Sequence, residues 1–340
     1  MIGFIFFLLA ARQIYIIIKN GLTARQIKKV SSGAGVLVLI EVKNSDFLDN
    51  YFLNRLKSIH PPHDLHFIVA MDHPQILELT AREFQVASYN THIESAIDVI
   101  NRLTIESSLE SILVTDLNIE FDSEGLFGVD KLLTESKGPY CIIPQVHSPN
   151  VTVDCLYTLN PHLALISLLS FKRLTRSLKQ PLLNMSDLCI AFRKVDFELF
   201  PENVNWKSSL FYGFRSRAIG LKLCFGEKHF SLYLGPDLKT LWQKMGKVWQ
   251  NAGSLHDYSV ATYLIQCLIW IFPVLFFDIH PFYSLAILFL LLIYRIFTFI
   301  IFQENILSIL VHPIAGLMWL GSFVWDKGHQ LKNLSNGPRK

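Results

Sequence analysis

The chain has 340 residues, 51% hydrophobic and only 17% charged, with a net charge of +3 and five cysteines. A soluble domain carries about 25% charged residues, and the shortfall is local: stretches 1–18 and 258–325 hold no charges besides Arg12, Asp278, Arg295 and Glu304. A water-soluble domain held by membrane segments follows, which excludes a disordered chain, a secreted disulfide scaffold, a transporter built mostly of spans and a nucleic-acid binder.

Residues 1–19 read as an N-terminal transmembrane helix, close to the minimum of about 17 residues for a span. No basic residue precedes the apolar run, while Lys19, Arg25, Lys28 and Lys29 follow it. A cleaved signal would carry its charge on the other side. The positive-inside rule therefore places the next segment, a domain over 24–257, in the cytoplasm. Cys141, Cys155, Cys189, Cys224 and Cys267 are odd in number and contain no Cys-x-x-Cys pair. That pattern fits a reduced compartment better than a disulfide framework or a zinc site.

Within 24–257, β-branched runs alternate with helical patterns. Strands are predicted at 36–42, 65–71, 111–115 and 140–146, with helices near 46–59, 75–84, 92–103 and 124–135. This order indicates an α/β domain with a mainly parallel sheet, whose ligands bind beyond the carboxyl ends of the strands. Two places satisfy that rule. Asp72 follows the second strand, and Asp116-Leu-Asn-Ile-Glu-Phe-Asp122 closes the third. Asp116 and Asn118 lie two apart, so on an extended segment both point the same way. Their oxygens suit a hard divalent cation bridging a diphosphate. The competing reading is that Asp116 and Asp122 cap a turn and a helix.

Residues 161–179 place Lys172, Arg173, Arg176 and Lys179 at helical spacing beside apolar residues. They read either as an interfacial helix with cations toward headgroups or as a core helix with a solvated edge. Residues 258–302 hold two spans, 260–277 and 282–302, joined by a loop without Lys or Arg. Arg295 lies inside the second; it either snorkels to the inner surface or faces a cavity that an anionic lipid or substrate could enter. Segment 305–325 is a third membrane or re-entrant segment, with His312-Pro313 suggesting an early break, and 326–340 is a basic tail.

The order of these features resembles membrane-bound family-2 glycosyltransferases, most closely the ceramide-glucosyltransferase-like branch. VLVLIEVKNSDFLDNYFLNRLKSI looks like the family's first strand and helix, and DLHFIVAMDHP like its second strand with a nucleotide-binding acid, here Asp72. SILVTDLNIEFDSEGL is similar to the strand carrying the Asp-x-Asp metal motif, with Asp116 kept and Asn118 in place of the second acid. MSDLCIAFRKVDF resembles the segment that ends in a basic strand. The resemblance implies a GT-A-like (Rossmann-like) mixed sheet between one N-terminal and two to three C-terminal membrane helices. It also implies Mg²⁺ or Mn²⁺ on Asp116 and Asn118, with a nucleotide sugar (UDP-hexose) at Asp72 and Asp116.

At the family's base position stand Ser208 and Ser209, about eleven residues before Gly220. Replacement candidates for the base are Asp187, Glu202, His229 and Asp237. The family's Gln-x-x-Arg-Trp falls on Met245-Gly-Lys-Val-Trp249, which keeps Trp249 and leaves Gln243 and Lys247 nearby. Trp249, Lys247 and Arg295 mark the acceptor and membrane side. The implied function is a hexosyl transfer to a sphingolipid-like or other amphiphilic hydroxyl. The setting is a bacterial inner membrane or an ER or Golgi membrane. The alternative is a catalytically silent chain of the same fold that acts as the partner or regulator of another membrane protein.

Overall fold

The computed structural model describes residues 2–23, 25–42, 50–59, 61–73, 76–117, 119–136, 138–148, 150–157, 189–196, 222–234, 237–251, 258–302 and 307–335. In chain order these form α1 (Ile2–Thr23), β1 (Arg25–Gln26), β2 (Val36–Val42), α2 (Asn50–Leu56), β3 (Asp64–Ala70), α3 (Ile76–Ala81), β4 (Gln85–Tyr89) and α4 (Ala96–Glu106). Next come β5 (Ser111–Asp116), β6 (Ile119–Phe121), α5 (Ser123–Glu135), β7 (Tyr140–Ile143), β8 (Gln145–His147), α6 (Val151–Leu156), β9 (Cys189–Arg193), β10 (Lys222–Phe225) and β11 (Phe230–Tyr233). Four helices close the chain: α7 (Leu238–Asn251), α8 (Tyr258–Leu275), α9 (Pro281–Phe302) and α10 (Ser308–Ser335). The chain divides into two compact units. One takes the described residues within 24–145 and 186–233, the other those within 1–23, 146–185 and 234–340.

The first unit is built on a mixed sheet which, among the described residues, has eight strands in the order β1-β10-β7-β9-β5-β2-β3-β4. Only β9 runs against its neighbours, β5 and β7. The expected α/β class with a Rossmann-like, parallel-rich sheet is what the structure has. β2 reads VLVLIEV, and every residue but Glu41 is buried. Such a run belongs to a strand covered on both faces. Burying each Val, Ile or Leu side chain contributes about 1.5–3 kcal/mol, which fixes β2 at the centre of the unit. At its amino end, the buried Asp130 of α5 accepts the Ala34 N–H at 3.0 Å and the Ser111 hydroxyl at 2.7 Å. One carboxylate thus ties the approach to β2 to the first residue of β5.

From β2 the chain steps outward through β3 to β4, then returns to the other side of β2 to lay down β5. That reversal opens a crevice at the carboxyl ends of β2 and β5. Two details depart from the expected elements. Gln85–Tyr89 is a strand; its alternation of Gln, Val, Ala, Ser and Tyr is half-polar, as an edge strand tolerates. The strand expected at 140–146 is split at Pro144, whose missing N–H cannot serve a ladder.

Among its described residues, the helical unit contains two helices long and apolar enough to cross a membrane, within Ile2–Lys19 and Pro281–Ile300. The Phe6 and Phe272 rings stack at 4.6 Å, linking α1 to α8, and Trp270 meets Tyr294 of α9 at 5.7 Å. α8, expected as a span, carries Pro273 near its end. The early break expected at His312-Pro313 does not occur, because α10 runs unbroken from Ser308 to Ser335. Pro313 falls in its second turn, and a packed apolar helix tolerates the loss of one hydrogen bond there. Arg295 is buried to 1% exposure and its guanidinium donates to the Ser308 hydroxyl. It therefore faces the protein interior and does not snorkel.

One titration follows from the packing of the sheet unit. His63 lies against the Phe127 ring at 4.4 Å. Burial pushes its imidazole below the ordinary 6.5, opposed by the Ser123 backbone and the Asp130 charge. The unfolded chain then takes up this proton more readily than the folded one, so stability is full above pH 6.5 and falls as pH drops through and below that value. Melting temperatures of the detergent-solubilised chain from pH 8 to 5 should show the fall, with a shallower slope in His63→Phe. Equal slopes would contradict the assignment.

Candidate functional site

Four parallel strands end side by side at one edge of the sheet. Glu41 of β2 stands opposite Asp116 of β5, and such neighbours project to the same face. Past β3 the chain turns at Met71 and Asp72, and the Met71 N–H donates to the Tyr89 carbonyl at 2.9 Å, which brings the end of β4 alongside. The Tyr89 phenol is pushed above its ordinary 10 by burial, then by the charges of Glu41 and Asp72. Both carboxylates therefore lie close enough to act on that hydroxyl. Asp72, Tyr89, Glu41 and Asp116 thus mark the ends of adjacent strands, with the crevice between the last two.

Asp116 is 3% exposed, Glu41 is half-buried and Asp72 is exposed. Carboxylate oxygens are the ligands that a hard divalent cation takes, so the residue types at this edge suit such an ion. Of the expected site residues, Asp72 and Asp116 are brought to one edge. Glu41 and Tyr89 join them, unforeseen from the sequence. The signal for Glu41 was a single acid in an otherwise apolar strand; Tyr89 carried none, because its strand was not recognised.

A second group, Asp122, Glu124 and His229, holds ligand atoms within 4.8 Å of one another. Here the structural roles are explicit. Asp122 caps α5, its Oδ1 accepting the Gly125 N–H at 2.6 Å, and lies 3.1 Å from His229 Nδ1. Glu124 pairs with Lys29 Nζ at 2.7 Å. For Asp122 the capping reading holds. His229, a candidate base, is buried and faces Asp122.

Asp237, another candidate base, caps α7 and accepts from the Thr240 N–H at 2.7 Å and its hydroxyl at 2.6 Å. The Thr240 hydroxyl and then the backbone hold its carboxyl below the usual range. Lys247 and Trp249 fall on α7, with their side chains outside the description. Asn118, Asp187, Glu202, Ser208, Ser209, Gly220 and the stretch 161–179 lie outside the described residues. Lys222 is exposed on β10, its Nζ 5.6 Å from the centre of the Tyr140 ring.

No protein-family model matches the chain, and no protein of established function matches it in sequence. Among solved structures it is similar to S. aureus TarS 1-349 (12% identity, covering 88% of this chain and 92% of that one, TM-score 0.38). The same protein in complex with UDP-GlcNAc gives 10% identity, the same coverages and a TM-score of 0.35. The mannosyltransferase PcManGT of Pyrobaculum calidifontis, in complex with GDP-Man and Mn²⁺, gives 10% identity over 96% of this chain and 100% of that one, with a TM-score of 0.47. Identities and scores at this level assign no residue and no substrate to this chain.

The two acidic groups can be told apart. Asp122→Ala removes a cap and should cost about 1 kcal/mol of stability, read as a lower melting temperature, while any stabilisation by Mn²⁺ persists. Loss of the Mn²⁺ effect in this variant would move the cation to the second group.

Proposed function

We propose that the chain is a membrane-anchored glycosyltransferase of the GT-A-like, family-2 kind. In this reading it moves a hexose from a nucleotide sugar to the hydroxyl of an amphiphilic lipid at the cytoplasmic face. The observation that carries this reading is the placement of Asp116 at the end of β5, opposite Glu41 and in line with Asp72, at the point where the strand order reverses. The two apolar helices support the membrane anchor.

In the proposed reaction the nucleotide lies along the carboxyl edge, with Asp72 toward the nucleoside and Asp116, Asn118 and Glu41 toward the diphosphate. Mg²⁺ or Mn²⁺ held by Asp116 and Asn118 would neutralise charge on the leaving diphosphate. The acceptor oxygen attacks the anomeric carbon, the new C–O bond forms as the bond to the diphosphate oxygen breaks, and the electron pair leaves with the nucleotide. The acceptor proton passes to a base. The candidates for that base are Asp187, Glu202, His229, which is buried against Asp122, and Asp237, which caps a helix. Trp249 and Lys247 would meet the acceptor, whereas the burial of Arg295 suits a fixed link to Ser308.

Ser208 and Ser209 at the family's base position favour the second reading, a silent partner protein of the same fold. Titration of the purified chain with UDP-hexoses and Mn²⁺ separates the outcomes. Binding should weaken at least about tenfold in Asp116→Asn, or 1.4 kcal/mol, and turnover should appear on a lipid extract. Binding without turnover supports the silent reading; no binding by the wild type overturns the transferase reading.

A further inference from the structure

The strands β2, β3, β4 and β5 end at Val42, Ala70, Tyr89 and Asp116, and of these four only Tyr89 carries a ring. The register sets the side from which that ring projects. Asp116 stands opposite Glu41, Glu41 opposite Ile68 and Ile68 opposite Ala87. Tyr89 is two residues beyond Ala87, so it leaves the same face of the sheet as Glu41 and Asp116. We propose that the Tyr89 ring is the platform on which the nucleobase of the donor stacks. The proposal rests on reading the carboxyl edge as a nucleotide-sugar site and adds the residue that holds the base.

Three observations carry it. The first is position along the edge. The strands run in the order β5-β2-β3-β4, and three steps of strand spacing put β4 about 14 Å from β5. A nucleotide with its diphosphate at Asp116 and its ribose toward Asp72, past β3, therefore brings its base to β4. The second is the lean of the side chain. Among the described residues β4 is the last strand of this sheet, so a side chain there turns either outward or back over β3. The charges of Glu41 on β2 and of Asp72 past β3 both act on the Tyr89 hydroxyl, which places the ring on the inner side. The third is the surface. Tyr89 is half-buried, and Met71, whose N–H donates to the Tyr89 carbonyl, is 58% exposed. This corner thus keeps apolar surface beside its acids, the combination that a flat base with a polar rim requires. Every base has a π-face, so such a ring adds affinity without choosing among bases.

Equilibrium titration of the purified full chain with UDP, and separately with inorganic pyrophosphate, each with Mn²⁺ present, tests this. The chains compared are wild type, Tyr89→Leu, which keeps an apolar side chain without a ring, and Tyr89→Phe. UDP should bind Tyr89→Leu about tenfold more weakly than wild type and Tyr89→Phe within about twofold of it. Pyrophosphate, which has no base, should bind all three alike. Unchanged UDP affinity in Tyr89→Leu, or an equal loss in Tyr89→Phe, overturns the platform and leaves the nucleotide-sugar reading standing. An equal loss for UDP and pyrophosphate also overturns it, because the substitution then disturbs the edge and not the base. Failure of the wild type to bind either ligand would instead refute the transfer reading, and this proposal with it.

Discussion

The proposed transfer site depends on the pairing of β2 with β5. Six residue pairs, from Val36 opposite Ser111 to Glu41 opposite Asp116, join the two strands in parallel. The amino end is fixed by Asp130, which holds the Ala34 N–H and the Ser111 hydroxyl. Because side chains alternate with period two, a slip of one residue would turn every side chain of β5 to the opposite face. The register secured at the buried, apolar end therefore decides which side of the sheet Asp116 presents at the other. Stability and site geometry come from the same ladder.

The segment after β5 shows how charge is divided between structure and function. Glu120 pairs with Arg55, Asp122 caps α5 beside His229, and Glu124 holds Lys29. Three consecutive acids at alternate positions are thus each matched to a basic partner. Of the three only Glu120 is buried, so removing Arg55 would leave a costly uncompensated charge there. These acids position α5 and the chain that leads from α1 toward β2. Asp116 stands before them at the end of β5, opposite Glu41 of β2.

Much of this was legible in the sequence. The apolar, β-branched run of β2 and the runs at β3 and β5 specify a covered parallel sheet, and the rule of strand ends points to Asp72 and Asp116 without further help. Glu41 was harder, because its partner across the ladder depends on the order of strands, which the sequence does not state. Tyr89 was missed because a short, half-polar edge strand has no strong period. Arg295 could be read either toward lipid or toward protein; the choice depends on Ser308 of the next helix, a contact that no local pattern encodes. Likewise, Asp237 looked like a candidate base, and only its bonds to Thr240 reveal a cap.

The central claim is a cation at the crevice between β2 and β5. Anomalous scattering at the manganese edge, from the chain determined with a UDP-sugar and Mn²⁺, tests it most directly. A single peak about 2.0–2.3 Å from an Asp116 carboxylate oxygen, next to the diphosphate, is the predicted result. A peak between Asp122, Glu124 and His229, or nucleotide bound away from the carboxyl edge, would contradict it.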